Sequence, residues 1–335
     1  MLPARPRRGK GLPIRGGAEG GESPSLCSWP VPADLIGDPL WAVLIPPRLE
    51  HFRALTGLGE AALTADFTGW NKFVLLAGDR VFLFPREPAN VEWFGHELAV
   101  YRALTAGGFT LAPQLRGQWR DEDVYPFPFA EVTRLTGTRP ADPAALFGSL
   151  GAVLARIHQV PPPDLPWPRR IARHQRPAYR WLHRALDPAT SADAAAESAR
   201  RLGRPGCLPR WRSRLAAAAA HGTVLVHGDI HEHQLLAAGG EITGILDWET
   251  ARVDHPFWDF DLGEWGTGLW RQHRAGFSEL WATAWQEYAA VRGTDPDPAP
   301  LETAFRLRQA LTLLDGGLSD PAVAGTVEEH LAPIC

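Results

Sequence analysis

The sequence predicts an α+β protein of two lobes, a small antiparallel sheet carrying one long helix followed by a larger, mainly helical part. Three observations point there. Short apolar runs come first, over 63–67, 73–76 and 81–84, and are broken by Gly-containing turns, as in a strand meander. Apolar residues then recur at helical spacing over residues 91–104, and three more helical stretches lie between Asp142 and Gly222. A chain of 335 residues, 45% hydrophobic and 21% charged, is long enough to bury two cores of this kind.

Residues 1–35 are rich in Pro, Gly and Arg with little to bury, and read as a flexible tail. Folding is expected from about Leu40, with an amino-terminal lobe over 40–133 and a carboxy-terminal lobe over 134–335. In "LTADFTGWNKFVLLAGDRVFLFPRE" the runs 63–67, 73–76 and 81–84 are separated by Thr68-Gly69 and Gly78-Asp79, which predicts an antiparallel meander. Val91, Phe94, Leu98, Tyr101 and Leu104 then mark a helix that stops at Gly107-Gly108. One more strand is expected in "VYPFPFAEVTRLTG". "DPAALFGSLGAVLARIHQV" reads as a helix with Asp142 as N-cap and Pro143 at its first position, burying Leu146, Leu150, Val153, Leu154 and Ile157.

Composition excludes several partners. A net charge of -4 argues against a domain that binds nucleic acid by neutralising phosphates. No run reaches the 18 apolar residues of a membrane span, and the start lacks the apolar stretch of a secretory leader. Cys27, Cys207 and Cys335 are odd in number and far apart, so reduced thiols are expected, in a cytoplasmic monomer or homodimer. The fourteen tryptophans are core residues by default.

The chemistry concentrates in "VHGDIHEHQLL". His227, His231 and His233 surround Asp229 and Glu232, which fits either a metal site or a phosphotransfer loop. Catalytic zinc usually takes ligands spaced as H-E-x-x-H on one helix face, whereas H-E-H puts alternate side chains on a strand. His227 is expected to fix the loop backbone instead. Asp229 follows the apolar run 224–226, Gln234 lies five residues on, and Asp247 ends a second run, "ITGILDWE". A hairpin with Gly239-Gly240 at its tip would return the chain and bring Asp229 and Asp247 together. Phosphoryl transfer needs such a layout: one carboxylate to accept the proton of an attacking hydroxyl, another to hold Mg²⁺, and a side-chain amide for a second ion.

With "HGDIHEHQ", "ILDWE", "GWNKFVLLAGDRVFLFPR" and "HPFWDFD" in this order, the chain resembles the aminoglycoside phosphotransferase family over roughly residues 60–270. The family is similar to protein kinases in fold and phosphorylates hydroxyls of small molecules. The resemblance implies Asp229 as the catalytic carboxylate, Asp247 and Gln234 (family Asn) as Mg²⁺ ligands, and ATP or GTP near Gly69, Lys72, Glu97 and Thr133. Two departures stand out. The family's "VFRFP" holds an Arg or Lys that binds phosphates and pairs with a helix glutamate, but here that position is Leu83. Lys72 is the single lysine outside the tail, and it stands at the start of the preceding strand. Some protein kinases take the cation from that strand, so Lys72 is the expected replacement, paired with Glu97. Arg86 is the reserve, turned to the opposite sheet face by its odd spacing.

Trp258, Trp265 and Trp270 interleave with Asp259, Asp261 and Glu264, and acids beside aromatic faces suit a cationic or sugar-like acceptor. Glu264, Trp265 and Asp261 are the expected substrate contacts. The sequence favours a small-molecule kinase because both carboxylates persist. Leu83 is the argument for a nucleotide-binding homologue of little activity, and the histidines are the argument for a metal-dependent hydrolase.

Overall fold

The computed structural model describes residues 46–67, 69, 71–164, 177–260, 277–316 and 326–335. The three expected strands form β1 (Thr64–Asp66), β2 (Lys72–Ala77) and β3 (Arg80–Pro85), each antiparallel to the next. Two more, β4 (Leu115–Trp119) and β5 (Phe129–Thr133), complete a five-stranded sheet in the order β1-β2-β3-β5-β4. Strand β5 was expected from the sequence and β4 was not. Its stretch, LRGQW, mixes an arginine, a glycine and a glutamine, so no apolar run marks it.

Alternation along the strands sorts the side chains onto two faces. Phe73, Leu75 and Ala77 of β2 and Phe82 and Phe84 of β3 join Phe52 and Leu58 in an aromatic core against helix α1 (Pro46–Thr56). Val74, Val81 and Leu83 face the other way and join the main core. There they meet Phe94, Leu98, Tyr101 and Leu104 of α2 (Val91–Ala106), the helix expected after the meander. The register pairs Val74 with Leu83, so Lys72, two residues before Val74, lies on that same inner face.

Beyond the sheet the chain is mainly helical. The helix expected from Asp142 begins later: Pro143–Leu146 wind as a 3₁₀ turn, and α3 runs over Phe147–Ile157 with Leu146 as its cap. A tight first turn of this type is common at helix starts. The expected apolar stripe of α3 is buried in full. Gly151 has a steric reason to be glycine, because a Cβ there would stand 1.8 Å from the Ala284 carbonyl oxygen of α8 (Phe277–Arg292). Helices α4 (Pro177–Ala185), α5 (Ser191–Arg201), α6 (Leu208–Ala219), α7 (Phe257–Phe260), α9 (Ala299–Leu314) and α10 (Val327–Leu331) are packed into the same core. Trp181, Trp211, Trp248, Trp281 and Trp285 are all fully buried.

The expectation of three reduced thiols is corrected at two positions. Cys207 and Cys335 form a disulfide across 128 residues, while Cys27 lies outside the described residues, as do residues 1–35. The pairing follows from packing: α9 and α10 lead the chain end back onto α6, where the Trp211 indole donates to the Ile334 carbonyl at 3.0 Å. Closing so long a loop restricts the unfolded chain, so Cys207→Ser should cost about 5 kcal/mol. The expected result is a lower urea midpoint for the variant and an equal drop when wild type is reduced; an unmoved midpoint would contradict it. No described helix is long and apolar enough to cross a membrane.

Candidate active site

The site forms on two loops of the carboxy-terminal lobe. β6 (Val224–Val226) pairs with β9 (Arg252–Asp254), and between them β7 (Leu235–Ala238) and β8 (Glu241–Ile245) make the expected hairpin, turning on Gly239 and Gly240. The loop after β6 carries His227, Gly228 and Asp229; the loop after β8 carries Asp247 and Glu249.

Hydrogen bonds stitch the two loops together. The His227 ring Nε2 bonds the Leu246 carbonyl at 2.9 Å, and its Nδ1 accepts the Asp229 N–H at 3.2 Å. Accepting at Nδ1 leaves Nε2 as the donor, so one neutral tautomer satisfies both contacts. Thr250 Oγ1 donates to the His227 carbonyl at 3.0 Å, and the Leu246 N–H donates to the Gln234 carbonyl at 2.8 Å. His227 therefore fixes backbone, as expected, and its ring nitrogens are both committed. His231 Nδ1 accepts the His233 N–H in the short turn Glu232–Gln234.

Asp259 holds the same loop from below, which corrects its placement among substrate-facing acids. It is 1% exposed, and its two oxygens accept the N–H groups of His227 (2.9 Å) and Gly228 (2.7 Å). His158 Nε2 adds a third bond at 3.0 Å, while His158 Nδ1 meets the Tyr288 hydroxyl at 3.0 Å. Trp258 is likewise buried, stacked on Tyr179 with the Arg252 guanidinium 4.9 Å from its ring centre. Both face inward because they sit on α7, whose residues are all buried. Gly228 must be glycine here: its φ is +77°, and a Cβ would lie 2.1 Å from Arg252 Nη1.

Burial would raise the Asp259 pKa, but the His158 contact and the two backbone donors hold it below the ordinary carboxylate value. A depressed folded pKa contributes stability that is fully present above the unfolded value of about 3.9 and is lost as pH falls through the folded one. Asp259→Asn should therefore cost about 3 kcal/mol at pH 7 and flatten the acid limb of the stability profile. An unchanged acid limb would remove Asp259 from this role.

Lys72 occupies the centre of the site. Its Nζ lies 3.0 Å from Glu97 Oε1, 2.5 Å from Asp247 Oδ1 and 3.5 Å from Glu249 Oε2. Glu97 is fully buried on α2 and also accepts the Tyr101 hydroxyl at 2.7 Å. Burial alone would depress the lysine pKa, but Asp247, then Glu97 and Glu249, outweigh it and hold the ammonium well above its usual range. For Asp247, burial raises the carboxyl pKa and the lysine charge prevails, leaving it low. Burial, with Asp247 and Glu97 nearby, pushes the third carboxyl, Glu249, up to about 7 against the pull of Lys72.

Asp247 has φ +66° and ψ +61°, the one left-handed non-glycine residue among those described. Such a conformation costs roughly 1–2 kcal/mol and persists where surrounding contacts over-determine it. Here they are Lys72 on Oδ1 and the Gln234 amide on Oδ2 at 2.9 Å.

The remaining expected positions are placed as follows. Gly69 precedes β2, and a Cβ on it would stand 2.4 Å from the Lys72 carbonyl oxygen. Thr133 ends β5, where its hydroxyl accepts the Gln114 N–H at 2.9 Å. Leu83 is 5% exposed in the main core. Arg86 donates to the Phe67 carbonyl on the β1 side. Asp261, Glu264, Trp265 and Trp270 lie outside the described residues. Sequence reasoning missed three residues that the fold brings in. Asn71 donates to Glu249 Oε1 at 2.6 Å, and His96 bonds the Ala251 carbonyl at 2.6 Å, tying α2 to the acidic loop. Glu249, two residues past Asp247 in "LDWE", is the third, and its sequence signal was that proximity alone.

A lysine from a small antiparallel sheet, bonded to a helix glutamate and set over a paired-loop carboxylate in a helical lobe, defines the class of protein-kinase-like phosphotransferases. One solved structure agrees on the fold: the ADP-bound aminoglycoside phosphotransferase APH(2'')-Ib is similar with a TM-score of 0.50 at 15% identity, covering 86% of this chain and 94% of that one. The macrolide 2'-phosphotransferase MphH from Brachybacterium faecium gives a TM-score of 0.48 at 23% identity, covering 85% and 96%. No curated protein matches the chain. The model of the phosphotransferase enzyme family matches residues 63–302, and the chain belongs to that family.

Proposed function

We propose that the protein transfers the γ-phosphoryl group of ATP or GTP to a hydroxyl of a small molecule. The observation that carries this is the contact of Lys72 with Glu97 and Asp247. It supplies from β2 the fixed cation that Leu83 cannot supply from β3. A triphosphate in a partly dry cleft needs such a cation as well as a metal ion.

The donor set fits the metal. Asp247 and Gln234 carry side-chain oxygens of the hard type that Mg²⁺ takes, which would turn to the ion from their present bonds to Lys72 and to each other, and three carboxylates around one ammonium leave local negative charge for a cation to offset. Bound there, Mg²⁺ would neutralise charge on the β- and γ-phosphates. Asp229 would orient the acceptor hydroxyl and take its proton, with its backbone held by the His227 ring. Gly69 would let the turn before β2 approach the nucleotide, and Thr133 would border it at the end of β5. Glu264, Trp265 and Asp261 remain the proposed acceptor contacts, suited to an amino sugar or other cationic molecule. Among the similar solved structures are a streptomycin-ATP complex and a gentamicin complex of APH(2'')-IIa. Aminoglycosides and macrolides are therefore the first acceptors to try. Nucleotide supply places this chemistry in the cytoplasm, although the Cys207–Cys335 bond is a feature more common in oxidising compartments.

The reading of a nucleotide-binding homologue with little activity rests on Leu83. It is separated from the first by turnover. The expected result is phosphorylation of at least one member of a panel of aminoglycosides, amino sugars, macrolides and simple alcohols, with ATP or GTP and Mg²⁺. Nucleotide binding with no transfer to any acceptor would favour the binding-only reading. Both ring nitrogens of His227 are committed, which takes one of the three histidines out of a hydrolytic metal site.

A further inference from the structure

Glu249 holds two donors that a phosphate would use. Its Oε1 accepts the Asn71 amide at 2.6 Å, and its Oε2 stands 3.5 Å from Lys72 Nζ. Asn71 is itself anchored, since its Oδ1 accepts the Asn90 amide at 3.1 Å. Two adjacent residues at the start of β2, just past the Gly69 turn, therefore converge on one carboxylate. They are a neutral donor and an ammonium, a pair that also suits a phosphate oxygen.

The three carboxylates on Lys72 are not equivalent. Glu97 is fully buried and is held a second time by Tyr101. Asp247 is held by Gln234 and fixed in a left-handed conformation. Glu249 makes the longest of the three contacts, 3.5 Å against 2.5 Å for Asp247 and 2.9 Å for Glu97. It is the one that can let go without breaking the core.

Resting on the phosphotransfer reading above, we infer that Glu249 is an internal competitor for the nucleotide's phosphates. Its carboxylate occupies the Asn71 and Lys72 donors, must release them when triphosphate binds, and so sets nucleotide affinity below what the site could reach. The charge balance points the same way. With three carboxylates facing one ammonium, a fourth anion is opposed, and removing the most loosely held of the three relieves that opposition.

The test is nucleotide affinity by calorimetry at pH 8, with ATP and with GTP, in the presence of Mg²⁺ and again in EDTA. Glu249→Gln keeps the shape and an acceptor for Asn71 while removing the charge. It should bind nucleotide roughly tenfold more tightly in both conditions, the scale of one partly screened charge contact. Glu249→Asp, drawn back by one methylene, should show part of that gain. In a Lys72→Ala background the gain should vanish, because the competition acts through the lysine. Unchanged affinity in Glu249→Gln overturns the proposal. So does weaker binding confined to Mg²⁺, which would make Glu249 a ligand of the ion. Wild type that binds neither nucleotide overturns the phosphotransfer reading itself and this proposal with it.

Discussion

Asp229→Asn is expected to cut turnover by ~10²–10⁴-fold, the range of a positioned general base, while leaving nucleotide affinity near wild type. The loop explains why the effect should be chemical and not structural. Gly228 is pinned by Asp259, and the Asp229 N–H is pinned by His227, so the backbone stays in place when the side chain changes. Asp247→Asn should differ in kind. Asp247 touches Lys72 and Gln234, so its loss disturbs both the fixed cation and the proposed ion site, and Mg²⁺-nucleotide binding should weaken along with turnover. Equilibrium binding and steady-state kinetics on the two variants read the difference directly. Equal loss of nucleotide affinity in both would contradict the division of roles.

Lys72→Ala should weaken ATP binding and lower turnover by ~10² or more, as for other single preorganised electrostatic contacts. The structure sharpens that expectation. Removing the ammonium leaves Glu97 buried with only Tyr101 to answer it, beside Asp247 and Glu249, so like charges face one another where triphosphate must enter. Leu83→Arg should restore part of the lost activity in the Lys72→Ala background, because Leu83 and Lys72 share the inner face of the sheet across one pair of strands. Recovery should be incomplete, since Leu83 packs within an apolar core that a guanidinium would have to leave. Lys72→Ala behaving as wild type would end the idea of a relocated cation.

Much of this fold was legible because its patterns are local. Short apolar runs between Gly-containing turns gave β1 to β3, 3.6-residue spacing gave α2 and the buried stripe of α3, and Gly239-Gly240 gave the hairpin that returns the chain to Asp247. Strand β4 was missed because its pattern carries little apolar contrast, and helix α1 because few of its residues are apolar. The departure at Leu83, and Lys72 as the proposed replacement, came from one motif set against another.

By itself, then, the sequence determined the lobed α+β plan and the two loop carboxylates, because each depends on the order and spacing of neighbouring residues, while the oddity at Leu83 came from the resemblance to the family's motif. The tertiary structure decided the rest. Asp259 and Trp258 read as substrate-facing acid and aromatic, but α7 lies inside the core, and there a carboxylate answers backbone donors. Cys207 found Cys335 only because α9 and α10 close a 128-residue loop. Lys72 meets Glu97, Asp247 and Glu249 from 25, 175 and 177 residues away, and only packing sets those distances, and with them which charge wins at the centre of the site.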